Sequence, residues 1–342
     1  MPAPSPEYPR GGQAPGSDYF PSGDFLESPN MASELSEIVD ADMLAADSLN
    51  RLDPDQVAHA AIKKRLGIGF WVASGWVAMV ALAALFAPVL PIQEPNKLTS
   101  CTKCFPDQAH WFGTDSLGRD IFSRVIWGGR VSLTVGVMAI LFGLVVGGVI
   151  GLVAGFFGGR SESVLMWAMD VLLAFPALVL TLALITFTQG RDLWFVPLGN
   201  SIWMIALAIG IVSIPPVARL VRANTLVFGQ REFVLAARTL GAGNGRILRR
   251  EILPNVMLPV LSFSIIGVAV AIVAEGALAF LGLSVAPPTA TWGSMINEGR
   301  NALETEAFIS MIPAAILFLT VLSLNLAGDR VREYLDVKEG GL

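Results

Sequence analysis

Two histidines, His59 and His110, and two cysteines, Cys101 and Cys104, are all this sequence offers for imidazole or thiol chemistry. Neither histidine stands beside a second cluster of ligands, and "CTKC" with the distant His110 supplies at most three, one short of a closed tetrahedral zinc site. No metal site is expected. For Cys101 and Cys104 a local disulfide is the favoured reading, with free thiols or a redox or metal site as alternatives. No G-x-x-x-x-G-K-[ST] occurs anywhere, so the chain has no loop of its own to cradle a nucleotide's phosphates. Asp170 and Glu275 are the carboxylates set within long apolar runs, where a charge is costly unless paired or wetted. Both are candidates for a translocation path or gate, although an interfacial place for Asp170 and a helix-bonding role for Glu275 are the favoured readings. They fall at opposite ends of their runs, which makes a poor proton relay. No residue is assigned a catalytic role.

Residues so poor in chemistry are carried on an oily chain. Of 342 residues 54% are hydrophobic and 15% charged, with a mean hydropathy of +0.62; soluble domains hold about 25% charged residues. The expected class is an all-α integral membrane protein. Six uncharged runs approach or exceed the roughly 20 residues that cross a bilayer: residues 66–90, 131–159, 171–190, 193–218, 252–274 and 307–328. They are continuous, whereas barrel strands would alternate. With the N-terminus inside, 16 of the 23 Lys and Arg residues fall on the cytoplasmic side, the usual orientation. Both termini and the 223–255 loop are then cytoplasmic, and residues 91–130 and 283–306 lie outside.

Residues 1–65 read as a cytoplasmic extension. The first 60 carry eleven acids against Arg10 and Arg51, a net of −9, so the rest of the chain is about +4. They lack a signal peptide's basic start and apolar core, and their Pro, Gly and Ser content predicts partial disorder. "DPDQ" offers an Asp cap, Pro at the first helical position and Gln at the third, so a helix is expected from Pro54 towards the first span. Residues 329–342 form a cytoplasmic tail.

Gly143, Gly147, Gly151, Gly155 and Gly159 recur at i, i+4 and put a bare stripe on the second span. Such a stripe admits another backbone, from this chain or from a partner subunit. Pro176, Pro197, Pro215 and Pro216 are expected to kink their helices. Between His110 and Arg130 the pattern predicts a turn capped by Thr114 or Asp115, then a surface helix with Leu117, Ile121, Val125 and Trp127 towards the membrane. Asp115, Arg119, Asp120 and Arg124 are spaced for local ion pairs, worth about 0 to 1 kcal/mol each if exposed. The segment serves either as a structural elbow or as a contact for a partner or an outer gate.

"EFVLAARTLGAGNGRILRREILPN", residues 232–255, interrupts the apolar sequence on the cytoplasmic side. Phe233, Ala236, Ala237 and Leu240 fall at i, i+3, i+4 and i+7, the stripe of a short amphipathic helix, and Gly241 follows where a C-terminal cap belongs. A helix lying on lipid would favour large apolar residues; this Ala-rich stripe suits a protein groove better. The arginines of the loop fit acidic surfaces, lipid headgroups or a protein. No nucleic acid is expected among the partners.

The stretch resembles the EAA loop of permease subunits of binding-protein-dependent ABC importers, whose pattern is E-A-A, three residues, Gly, nine residues, I-x-L-P. Leu235, Ala236 and Ala237 take the first places, Gly241 the glycine, and Leu253-Pro254 the end; Leu235 replaces the family's Glu, with Glu232 one turn earlier, and Glu251 replaces its Ile. "HWFGTDSLGRDIFSRVIWGGRVSLTVG", "MDVLLAFPALVL", "EGALAFLGLSVAPPTATWG" and "GDRVREYLDVK" resemble the C-type subunit of the dipeptide/oligopeptide branch. The resemblance implies a type I importer permease fold over residues 131–328 and a peptide as the solute. It also implies a homologous second permease, two ATP-binding subunits carrying ATP and Mg, and an extracytoplasmic peptide-binding protein. Glu232, Phe233, Leu235, Ala236, Ala237, Leu240 and Gly241 would then meet an ATPase subunit. Members of the branch carrying nickel chelates or glutathione are alternatives, as is an ATP-independent secondary transporter.

Overall fold

A computed structural model describes residues 67–188 and 202–339, all within one unit, Arg65–Leu342. The helix expected from Pro54, Pro197 and the acidic leader lie outside the described residues. Nine helices carry the described fold: α1 (Ile68–Phe86), α2 (Ile121–Phe157), α3 (Gly159–Leu173), α4 (Ala177–Thr188), α5 (Ile202–Gly229), α6 (Glu232–Thr239), α7 (Leu253–Phe280), α8 (Trp292–Gly299) and α9 (Phe308–Glu339). Among the described residues five helices are long and apolar enough to span a membrane, and a sixth span results if α3 and α4 are taken together.

Each span follows from continuous apolar sequence, and what distinguishes them is how much of each is covered. In α1 only Ala73 and Ala84 are buried, so its large side chains face outward while Trp76 Nε1 donates to Thr320 Oγ1 of α9 at 3.2 Å. By contrast α5 is the most covered span, 61% buried over its apolar window. It packs against α2, α3, α4 and α7, while α1 and α9 lie against α2, α7 and one another.

The glycine stripe explains the closest of these contacts. Gly143 faces Ser213, Gly147 faces Ile214 and Val217, Gly151 faces Ala218 and Val221, and Gly155 faces Thr225. Both series rise together, so α2 and α5 run parallel, backbone against backbone. Of the two partners the stripe admitted, it takes this chain's own helix. Gly159 is not part of it: Gly158 and Gly159, at φ of +62° and +59°, end α2 and turn the chain into α3, in a region that costs L-residues strain.

Four sequence expectations change. First, no separate surface helix precedes the second span. Helix α2 starts at Ile121 and runs unbroken to Phe157, because Asp120 caps it through Ser123 N and nothing at Trp127–Arg130 breaks it; Thr114 and Asp115 do not cap it. Second, the third span is broken. A bend of 88° separates α3 from α4 around Pro176, which has no N–H to continue the ladder and holds Phe175 out of helical geometry; α5, in contrast, continues through Pro215 and Pro216. Third, the 223–255 segment is shorter as a loop than expected, since α5 reaches Gly229 and a helical turn with a π segment, Ile247–Ile252, leads into α7. Pro254 lacks a donor there, and the wider turn accommodates the gap. Fourth, the tail is not separate from the last span, because α9 continues to Glu339.

The outer segment before α2 is pinned by its backbone. Thr114 Oγ1 donates to Cys101 O at 2.9 Å and accepts from Cys104 N at 2.8 Å, and Thr99 Oγ1 donates to Gly118 O at 2.6 Å. Cys101 and Cys104 form a disulfide, with Cα atoms 5.8 Å apart. In protein purified without reductant, alkylating reagents are therefore expected to label neither cysteine until a reductant is added. At the exposed rim, the Thr305 hydroxyl and then the Lys103 ammonium hold the Glu306 carboxyl below the usual carboxylate range. The Lys103–Glu306 tie, 3.1 Å long, persists above the ordinary value and is lost only as pH falls through the lowered one.

Candidate functional site

Helix α6 hangs from the cytoplasmic end of α5 by two residues, Gln230 and Arg231. Val234, fully buried, joins Val217, Val221, Phe228, Ile247, Ile252, Val256 and Val260 in one apolar cluster at the ends of α5 and α7. Arg238 lies over the Phe156 ring at the end of α2, 5.9 Å from its centroid, a cation–π contact. One face of α6 is thus fixed to the spans. Much of the expected stripe turns the other way, Phe233 being 40% exposed and Leu240 87%, and Leu235, outside that stripe, is 50% exposed. Ala236 is exposed with them and Ala237 is half-buried on the inner side. Val234, the residue that holds the helix down, was not singled out from sequence; it is flanked by positions that share no face with it, and the ends of α5 and α7 that receive it are distant in sequence.

The end of α6 is built as the glycine predicts. Gly241 N donates to Arg238 O and Ala242 N to Ala237 O, both at 3.0 Å, with Gly241 at φ +80°. These paired bonds form a Schellman cap, which satisfies the last carbonyls and needs a left-handed residue at this point. Glu232 sits in the first turn of α6, where the helix dipole favours an acid. It is exposed beside Leu235.

Asp170 lies on α3 and pairs with Arg219 of α5, both side chains about half exposed; Arg222, one turn on, grips Glu162 with Nε at 2.7 Å. Two ion pairs therefore tie α3 to the helix that carries α6. Glu275 is placed quite differently. Its side chain is fully buried, accepting from Ser132 Oγ of α2 at 3.1 Å and from Ser284 Oγ at 3.0 Å. Ser132 Oγ also accepts from Trp292 N at 3.2 Å, and Trp292 Nε1 donates to Val125 O at 3.0 Å. Glu275 thus fastens the outer helix α8 to α2 and α7. Glu275→Ala strands two hydroxyl donors in a closed site and is expected to cost about 2 kcal/mol, read as a lower unfolding temperature of the purified protein; Glu275→Gln, which keeps an acceptor, should cost less.

Around the start of α2 the local pairing that spacing predicted is present, Arg119 Nε meeting Asp115 at 2.6 Å, but it is buried. Asp115, Arg119 and Arg124 are all at least nine-tenths buried, and the second partner of both arginines is Glu298 of α8, 179 residues on from Arg119 and invisible to any local pattern. Ile121 and Val125 are buried against Met295, Ala302 and Ile309 rather than facing lipid, and Leu117 is 57% exposed. Asp120 holds His110 Nδ1 at 3.0 Å besides capping α2.

The described residues thus form a bundle of membrane-length helices with a short helix, α6, held by one side against the ends of α5 and α7 and exposing Phe233, Leu235 and Leu240. Residues 147–339 match the family described as binding-protein-dependent transport system inner membrane component, and the chain belongs to that family. It is a non-catalytic, multi-pass inner-membrane permease subunit of an ABC transport system, and the family's dependence on a binding protein implies that protein and ATPase subunits as partners. The chain is 40% identical over 233 residues to the glutathione transport system permease protein GsiD of Pectobacterium atrosepticum, covering 68% of this chain and 74% of the relative. To GsiD of Escherichia coli O157:H7 it is 42% identical over 236 residues, 69% and 75% of the two chains. To the probable D,D-dipeptide transport system permease protein DdpC of Escherichia coli K12 it is 36% identical over 266 residues, 78% and 86% of the two.

Proposed function

We propose that this chain forms half of a translocation pathway, together with a homologous permease, for peptides or the peptide-like glutathione, and takes its driving motion from an ATPase subunit through α6. The observation that carries the coupling role is the outward apolar face of α6, Phe233, Leu235 and Leu240, on a helix whose opposite face is fixed to the spans by Val234. A seated helix of this kind transmits displacement of a partner's groove to α5 and α7 instead of absorbing it, as switching by rigid elements requires. Glu232 takes the place of the family glutamate, one turn before Leu235. The names of the relatives, which include both glutathione and dipeptide systems, support the substrate class.

Reconstitution tests this reading. Proteoliposomes holding both permeases and both ATPase subunits, with the binding protein outside, should accumulate a labelled dipeptide or glutathione only when ATP is supplied on the ATPase side. Accumulation by this chain without the ATPases would overturn the coupling, and ATP-driven uptake that excludes both solutes would overturn the substrate class. Within the working complex, Glu232→Ala should lower uptake several-fold at unchanged protein level, and no change would leave Glu232 without the part assigned to it.

A further inference from the structure

Two recesses follow one another along the flank of α2 and α5. The outer one, about 480 Å³, is lined by Asn96, Trp127, Arg130, Thr134, Ile202 and Ala290. The next, about 330 Å³, runs between Met138, Leu141 and Val145 of α2 and Trp203 and Leu207 of α5. Thr134, Met138, Leu141 and Val145 stand at i+4, i+8, i+11 and i+15 from Arg130, so both recesses share one face of α2. The first holds a cation; the second is walled by apolar and aromatic side chains alone. Arg130 is exposed, and among the described residues no carboxylate pairs with it. Its guanidinium lies 5.7 Å from the centroid of the Trp127 ring, a contact that steadies the charge without neutralising it. The N–H fork is left for an anionic oxygen.

Depth decides which anion. The uncharged run of this span begins at the next residue, Val131, so Arg130 stands at the level of the headgroups, where Trp side chains also collect. At 1.5 Å per residue, Met138 to Val145 lie about 12 to 22 Å further along α2. In a hydrocarbon core about 30 Å thick, that is where the acyl chains of one leaflet end. The groove opens sideways, since Leu141, Val145 and Trp203 are each half exposed or more. A peptide lying there would strand its amides against walls that offer them no partner, whereas a hydrocarbon chain has nothing to strand. A charged head above an apolar groove one leaflet deep is the outline of an amphiphile.

We propose that this face of α2 and α5 binds a phospholipid of the outer leaflet, its phosphate on Arg130 beside Trp127 and one acyl chain in the groove from Met138 to Val145. The proposal rests on the permease reading, which puts this end of α2 outside. Native mass spectrometry of the assembled complex with added phosphatidylglycerol tests it. Arg130→Gln should cut lipid retention about tenfold, the loss of one contact to a charged group, and Leu141→Trp, which fills the groove, should cut it several-fold. Arg130→Lys keeps the charge and should retain most of the lipid, which separates loss of the cation from loss of fold. Arg300→Gln, at another exposed arginine, and Leu82→Trp, at an exposed position of α1, should change nothing. A phosphatidylglycerol with a photoactivatable group midway along its chain should label residues 138–145 and 203–207. Undiminished retention in either Arg130→Gln or Leu141→Trp, equal loss in the controls, or labelling confined to other helices would rule the site out. If the groove cross-links to the second permease instead, or if saturating dipeptide displaces the lipid, the face belongs to a subunit or to the solute and the proposal fails. Retention is read without ATP or uptake, so its failure is distinguishable from failure of the transport reading.

Discussion

Gly151→Leu is expected to leave almost no folded protein. A Cβ at this position would lie 2.7 Å from Val221 Cβ and closer still to the Ala218 carbonyl oxygen, so neither a rotamer change nor a small shift of one side chain makes room. The two helices would have to separate along the seam. Overpacking of a tight core costs about 3 kcal/mol at its upper range, and here the obstacle is backbone, so at least that much is expected. Gly151→Ala should already lower the unfolding temperature. Gly148 provides the control, because a Cβ there meets nothing within 4 Å; Gly148→Leu should fold like the parent. Size-exclusion profiles of the detergent-solubilised variants decide it, and a normal peak for Gly151→Leu would refute the seam.

Placing a charge on the outward face of α6 should instead spare the fold and stop transport. Phe233→Asp with Leu240→Asp removes two exposed apolar groups from the proposed ATPase contact; at about 2 kcal/mol for each anchor, affinity between the subunits falls on the order of 10³-fold. Uptake should drop to background while the amount of protein in the membrane stays the same. Gly241→Asp should act in the same direction through the cap, since a left-handed L-residue costs about 1 to 2 kcal/mol. Val234→Asp is the informative contrast: it buries a charge in the cluster beneath α6 and should reduce the amount of folded protein. Equal membrane levels but normal uptake for the double variant would remove α6 as the coupling element.

What the sequence made legible was whatever repeats at short range. Apolar runs located the spans, although their edges moved wherever a cap or a proline intervened: Asp120 advanced the start of α2 to Ile121, and Pro176 broke the third span. The i, i+4 glycines were plain, but their partners on α5 lie some 70 residues away, and no spacing rule connects Gly151 with Ala218. Helix α6 was legible in its extent because its periodicity and its Gly241 cap are both local, although Val234, which anchors it, was not. The outer cluster was not, since one of its two carboxylates comes from Glu298. The burial of Asp115 and Arg124 has no local signal, because the helix that covers them lies far along the chain.

The parallel seam between α2 and α5 also makes these helices sensitive to length. Each residue added to a helix turns all that follows by about 100°, so one residue inserted directly after Gly147 would swing Gly151 and Gly155 away from α5 and bring Ile150 and Ala154 towards it. An insertion among residues 91–98, in an irregular segment, carries no such phase error. An insertion scan should therefore find α2 intolerant from Gly143 to Gly155 and the outer segment permissive. The pair of helices behaves as a rod with a fixed phase, in which sequence may vary on the outer surface while residue count may not.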